Sequence, residues 1–198
     1  KVCNHLHLPV QSGSNRILKK MNRGYTREIY IQRIKDLKQA VPDISISTDL
    51  IVGFPSETAD DFEDTMNLLR EVEYDSIFAF AYSDRSSAPA SRFPDQVEEK
   101  EKLARLNRLL ALQETYTVKK NQTLVGTCQA VLVEGKSRKQ RDGFDPGSEN
   151  SVQMNGRTES NKIVHFPSDR AKIGDLINID ITHAYPHSLW GTPVEQKS

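Results

Sequence analysis

Cysteine is nearly absent from this sequence: Cys3 and Cys128 are the two among 198 residues. Two thiols so far apart make no disulfide framework, match no metal-site spacing and are too few to hold an iron–sulfur cluster. Long apolar runs are lacking too. The longest, Ile77 to Ala81, falls far short of the roughly 20 residues of a membrane-spanning helix. No charged-then-apolar leader opens the chain, so a cytoplasmic protein without a membrane partner is expected. Net charge is missing as well, with 27 basic residues balancing 27 acidic ones. Any affinity for nucleic acid must therefore come from a local patch. There is no internal repeat.

What is present falls into two rhythms. Up to about residue 120, strand signals alternate with helix signals. Val2 to Leu8 alternates like a strand already under way, which suggests a chain cut from within a larger protein. A short helix is expected from Asn15 to Met21. A longer one from Thr26 places Tyr30, Ile34, Leu37 and Val41 on one face and stops at Pro42. Ile44 to Val52 reads as the next strand. Thr58-Ala59-Asp60-Asp61 is a helix start in which Asp61 caps in return, and Phe62, Met66, Leu69 and Val72 follow as its stripe. A third strand spans Ser76 to Tyr82. A long helix from about Gln96 to Lys120 has a broad face of Leu103, Leu106, Leu109, Leu110 and Leu112. Strand centres lie roughly 30–40 residues apart, as in βαβ units of a parallel sheet. From Asn121 onward the pattern is strands and glycine-punctuated loops: Leu124 to Glu134, Val152 to Gly156, Lys162 to Phe166 and Leu176 to Tyr185. That predicts a small β-barrel of the oligonucleotide-binding kind. The expected division is residues 1–120, α/β, and residues 121–198, all-β.

Ligands of parallel α/β sheets bind at the carboxyl ends of the strands. Those ends are Gln11-Ser12-Gly13-Ser14, Gly53-Phe54-Pro55-Ser56-Glu57 and Tyr82-Ser83-Asp84-Arg85. Their amide, hydroxyls, carboxylates and guanidinium suit a polar small molecule, although Ser, Gly, Asp and Pro are also the residues of ordinary turns. Cys3-x-His5-x-His7 puts three potential metal ligands on one strand face. Such positions splay by roughly 6–7 Å and no fourth ligand is evident, so no metal site is expected.

His7-Leu8-Pro9-Val10-Gln11-Ser12-Gly13-Ser14-Asn15, with Leu18, Met21, Arg23 and Tyr25-Thr26 following, resembles the radical S-adenosylmethionine methylthiotransferase family. Ser47-Thr48-Asp49-Leu50-Ile51-Val52-Gly53-Phe54-Pro55-Ser56-Glu57-Thr58 and Phe80-Ala81-Tyr82-Ser83-Asp84-Arg85 resemble two further blocks of it, in order. Ser87-Ala88 departs from the Gly-Thr pair that the family carries there. The resemblance implies the C-terminal part of a radical-SAM (β/α) partial TIM barrel followed by a TRAM barrel. It implies that Gln11 and Ser12 lie beside the methionine or ribose of S-adenosylmethionine, with Ser14 a further cofactor-binding residue. The Ile51-Val52-Gly53 segment would then lie against its adenine, mainly through backbone, and Arg85 would face a carboxylate or an RNA phosphate, while Asp49 would either point into the barrel or be a buried strand Asp held by hydrogen bonds. Two [4Fe–4S] clusters are implied for the parent enzyme. Their thiolates are absent here, so no catalytic residue is expected in this chain and the cluster domains are expected to precede Lys1.

In the β region, Lys136, Arg138, Lys139 and Arg141 share one loop. Arg157, Asn161 and Lys162 flank a turn with Thr158 and Ser160. Basic groups beside small polar ones suit phosphate and sugar contacts, while a solvated loop is the plainer reading. The run from Gly156 to Phe166 resembles the tRNA-modifying branch of the family. By resemblance the parent would methylthiolate N6-isopentenyladenosine in a tRNA anticodon stem-loop, and the chain itself would bind RNA without catalysis. The alternatives are action on threonylcarbamoyladenosine or a ribosomal protein, or a stand-alone RNA-binding module. Trp190 could stack a base or close the barrel core. An exposed sheet edge could pair with a second copy.

Overall fold

The computed structural model describes residues 3–84, 89–93, 95–137 and 152–194. The chain divides into two compact units, Leu6–Tyr116 and Thr117–Ser198 together with Lys1–His5. The first contains a three-stranded sheet in the order β1 (His5–His7), β2 (Ser45–Val52), β3 (Ser76–Ala81). Strands β2 and β3 run parallel from Ser47↔Ser76 to Val52↔Ala81. Helices α1 (Asn15–Lys20), α2 (Arg27–Ala40) and α3 (Ala59–Val72) connect the strands, and α4 (Glu99–Gln122) follows β3.

Local chemistry sets these boundaries. The Thr26 side chain caps α2, and Val41 leaves helical geometry ahead of Pro42, whose ring disfavours a helical residue before it. Thr58 and Asp61 form the expected capping box of α3, an arrangement worth about 1 kcal/mol. Val10, Tyr30, Ile34, Ile46, Leu50, Val52, Phe62, Leu69 and Tyr74 form the core of this unit. Strand β1 ends before Pro9, which has no N–H to offer the ladder. Thr48 fills the gap: its hydroxyl accepts from Val10 N (3.0 Å) and donates to Leu8 O (2.8 Å). The chain then rejoins β2, with Gln11 N donating to Asp49 O and Ile51 N to Gln11 O, both at 2.9 Å.

Helix α4 departs from expectation. Leu109 is buried and Leu106 and Leu112 pack against the core, but Leu103 and Leu110 are exposed. The inward stripe is Lys102, Arg105, Leu109 and Gln113, all buried, at the helical spacing of three and four. Leu103 and Leu110 lie one position further round.

The second unit is a closed barrel in the order β4 (Cys128–Lys136), β5 (Val152–Thr158), β6 (Ile163–Ser168), β8 (Leu189–Pro193), β7 (Leu176–Ala184). Two features differ from the sequence reading. Helix α4 runs to Gln122 and a turn follows, so β4 starts at Cys128 rather than Leu124. Strand β8 was not expected, because Gly191 and Pro193 interrupt its short apolar pattern. It pairs parallel to β6 and antiparallel to β7 and thereby closes the barrel. Val131, Val133, Met154, Val164, Phe166, Ile179, Ile181 and Leu189 fill the interior. Strand alternation sends Leu189 inward and leaves Trp190 half-buried.

Candidate functional site

The loop after β1 is held in place from below. Gln11 adopts φ 76°, a left-handed conformation that a residue with a Cβ rarely takes. Its backbone is fixed by the two ladder bonds to β2, and its side-chain amide, nearly buried, has no hydrogen-bond partner among the described residues. Backbone strain of this kind clusters at ligand sites, which makes Gln11 a candidate on this rim. Ser12 and Ser14 are used by the fold. Ser12 Oγ accepts from Ser14 N (3.2 Å), and Ser14 Oγ caps α1 and donates to Asp61 Oδ1 (2.6 Å). Both serines are fully buried.

Asp61 ties this loop to the next. It takes bonds from Ser14, from Thr58 N (2.8 Å) and Thr58 Oγ1 (2.7 Å), and from the guanidinium of Arg16. Burial opposes its ionisation, but the bonds from Arg16, Ser14 and Thr58 outweigh that and hold its carboxyl well below the usual range. Arg16 also donates to Ser56 O.

The loop after β2 starts at Gly53, with φ 70°. A Cβ there would lie 2.3 Å from Lys102 Cγ, so both the conformation and the close approach of α4 require glycine. Glu57 Oε1 accepts from Gly53 N (2.8 Å) and from Arg105 Nη1 (2.7 Å). Burial pushes the Glu57 carboxyl above its usual range, and the bonds from Gly53 and Arg105 offset only part of this. Val52 is fully buried in the core. Phe54 meets Tyr82 and Phe93 edge-on at 5.2 and 6.2 Å, joining this loop to the segment after β3. Asp49 lies lower on β2, on the sheet face away from the core, with Oδ1 3.3 Å from His7 Nε2. Arg85 lies outside the described residues, as do Ser87 and Ala88.

The parallel strands thus bring the Gln11 and Gly53 loops to one rim, with Asp49 further down the sheet. Arg16, Glu57 and Arg105 were not singled out by the sequence reading. Glu57 stood only among the strand-end carboxylates, and the helical spacing of Lys102, Arg105 and Gln113 was the available signal for a polar stripe on α4.

On the barrel, Arg157 Nε donates to Glu134 Oε1 (3.0 Å) and Nη1 donates to Asn161 Oδ1 (3.0 Å). Asn161 holds the turn at φ 62°, and Lys162 is half-buried beside it. The guanidinium is therefore fixed in plane, with its Nη2 unpaired among the described residues. Lys136 is exposed at the end of β4, whereas Arg138, Lys139 and Arg141 lie outside the described residues. Arg157, Asn161 and Lys162 are gathered at one turn, and Glu134 is an acidic neighbour that the sequence reading did not include.

A cluster does not fit the residues present. Cys3 and Cys128 are both exposed and are the chain's two thiols. No group of three potential ligands gathers among the described residues, nor is any helix there long and apolar enough to cross a membrane.

Residues 1–69 match the Radical SAM superfamily and residues 122–194 the TRAM domain. Proteins named tRNA-2-methylthio-N(6)-dimethylallyladenosine synthase are similar along the chain. That of Natranaerobius thermophilus is 43% identical over 191 residues, covering 96% of this chain and 40% of its own length. Those of Clostridium botulinum and Moorella thermoacetica are both 46% identical, covering 98% of this chain and 41% and 42% of their own lengths. The chain thus spans about two fifths of the length of these relatives. It carries a Radical SAM superfamily segment and a TRAM domain, and along nearly its whole length it is similar to part of these synthases.

Proposed function

We propose that this chain supplies cofactor-facing loops and an RNA-binding barrel to an enzyme that methylthiolates position 2 of N6-isopentenyladenosine in a tRNA anticodon loop, in the cytoplasm. What carries the reading is the identity to synthases of that name along 96–98% of the chain. The three-stranded parallel sheet would form part of a (β/α) barrel. S-adenosylmethionine and two [4Fe–4S] clusters would supply the radical and sulfur chemistry. The thiolates for those clusters must come from residues other than those of this chain. Gln11, with its unpaired amide, and the Gly53 loop are the groups here that would hold S-adenosylmethionine. Ser12 and Ser14 would act behind them, by fixing the loop.

Tethering by Glu134 and Asn161 reduces the ordering cost of a phosphate contact at Arg157, at the expense of an acidic neighbour. Arg157→Ala and Lys162→Ala should weaken tRNA binding and reduce the slope of log affinity against log salt by roughly one per lost contact. Filter binding across a salt series measures both. An affinity that stays the same at every salt concentration would overturn the RNA face.

A further inference from the structure

Between Leu6 and Glu28 the sequence carries Arg16, Lys19, Lys20, Arg23 and Arg27 and no acidic residue, in a chain of zero net charge. Two of these cations are paired in the fold, Arg16 with Asp61 and Arg27 with Asp64 and Glu71. Lys19, Lys20 and Arg23 are exposed and meet no carboxylate among the described residues. They project from a turn that the backbone holds firmly. Ile17 and Leu18 are fully buried beneath it. The N–H groups of Met21, Asn22 and Arg23 donate to Ile17 O (2.8 Å), Lys19 O (3.0 Å) and Leu18 O (2.9 Å). Asn22, at φ 57°, is the left-handed residue that closes the end of α1. Lys20 Nζ donates to Ser56 Oγ (3.0 Å), which sets the cluster against the loop after β2. A Cβ on Gly24 would meet nothing within 4 Å, so the surface beside the cations is open.

The helix dipole favours Lys19 and Lys20 at the end of α1 but does not account for Arg23, which lies beyond it. Three cations on a fixed, open turn suit an extended polyanion better than a small anion, which needs a concave site. From Lys19 to Gly24 every residue but the half-buried Met21 is exposed, and none of the exposed ones is apolar apart from the glycine. The turn therefore lacks the apolar centre of a protein interface. Nor does it offer a free ring for stacking, the contact that single-stranded nucleic acid uses. The next aromatic residue, Tyr25, is half-buried and its hydroxyl donates to Pro9 O and Val10 O. Charge and small polar groups remain, and these grip a duplex backbone without reading its bases. We propose that the turn after α1 binds the phosphate backbone of a double-stranded RNA stem, with Lys19, Lys20 and Arg23 as the phosphate contacts and Asn22 and Ser56 beside them. The proposal rests on the function proposed above and adds to it a contact surface that belongs to the α/β unit and is indifferent to base sequence.

Filter binding of the full chain across a salt series tests this with two RNAs, an anticodon stem-loop and the same loop without its stem. Lys19→Ala/Lys20→Ala/Arg23→Ala removes exposed side chains, so its far-UV circular dichroism should match the parent. It should bind the stem-loop roughly tenfold more weakly at about 0.1 M salt and lower the slope of log affinity against log salt by about two. Its affinity for the stemless loop should stay within about twofold of the parent's. Exchanging base pairs of the stem should leave the loss unchanged. A charge-matched control on exposed residues elsewhere, Arg33→Ala/Lys35→Ala/Lys100→Ala, should keep the stem-loop within about twofold of the parent. Unchanged stem-loop affinity and slope in the Lys19, Lys20 and Arg23 variant, beside the loss expected for Arg157→Ala/Lys162→Ala, would overturn this surface and leave the general function standing. So would an equal loss for the stemless loop or in the control, since either reduces the effect to overall charge. Capture of polyglutamate by the parent that the variant loses, with its RNA binding intact, would assign the turn to an acidic protein and overturn the proposal. Absence of binding to both RNAs by the parent would overturn both readings.

Discussion

Asp61 joins two loops and one helix start through a single carboxylate. Its folded-state pKa lies below the ordinary aspartate value of 3.8. A depressed acid of this kind contributes stability that is complete above the unfolded-state value and is lost as pH falls through the folded-state one. Asp61→Asn should therefore cost about 2–3 kcal/mol at neutral pH, since it leaves the Arg16 guanidinium and the Thr58 N–H poorly matched. The gap from the parent should narrow as pH drops below about 4. Urea titrations of both proteins at neutral pH and near pH 3 measure this, and a gap independent of pH would exclude the assignment. The Thr58–Asp61 half of the network was legible in the sequence, because a capping box is a local pattern of fixed spacing. The half that holds Ser14 and Arg16 was not, since those partners are 47 and 45 residues away and only the folded sheet brings them together. Ser12 and Ser14 illustrate the same limit. Their place on the strand-end rim could be read, but not that their hydroxyls are spent on the loop itself.

Helix α4 carries the element-scale lesson. A list of leucines identified the helix but not its inward face, because Lys102 and Arg105 look like ordinary solvated positions until Glu57 and Tyr82 are placed beside them. Glu57 titrates in the opposite sense from Asp61. Burial raises its pKa, so its ionisation opposes folding as pH rises through the carboxylate range, and Arg105 offsets that cost. Replacing Arg105 with Met should leave the buried carboxylate uncompensated, at a cost of about 3 kcal/mol at neutral pH. Part of this loss should be recovered in acid, where Glu57 protonates. The double variant Glu57→Gln/Arg105→Met should be less destabilised than Arg105→Met alone, because no buried charge remains. Chemical denaturation followed by the helical signal near 222 nm reads the order of the three proteins. A double variant worse than the single one would show that Glu57 gains its stability from Gly53 rather than from Arg105. Leu103 and Leu110, being exposed, should tolerate Gln with changes within about 0.5 kcal/mol.

At the scale of the molecule, the structure divides between Tyr116 and Thr117, inside α4. The barrel's interior is drawn from its own strands, which supports treating it as a folding unit of its own. Its last strand escaped the sequence reading because β8 is short and its Gly191 looks like a breaker. In the fold that glycine is required: a Cβ would lie 2.3 Å from Asp180 O and 2.5 Å from Ile179 Cγ2 of the neighbouring strand. Gly191→Ala must push β8 from β7, and a cost of about 2 kcal/mol or more is expected. The chain's one tryptophan, Trp190, stands next to it, so indole emission reports the barrel and nothing else. In thermal melts Gly191→Ala should lower the transition seen by emission and leave the helical transition at 222 nm nearly unchanged. Asp61→Asn should do the reverse. If either substitution moves both transitions together, the chain unfolds as one cooperative body, and the division into an α/β unit and a separate barrel does not describe its energetics.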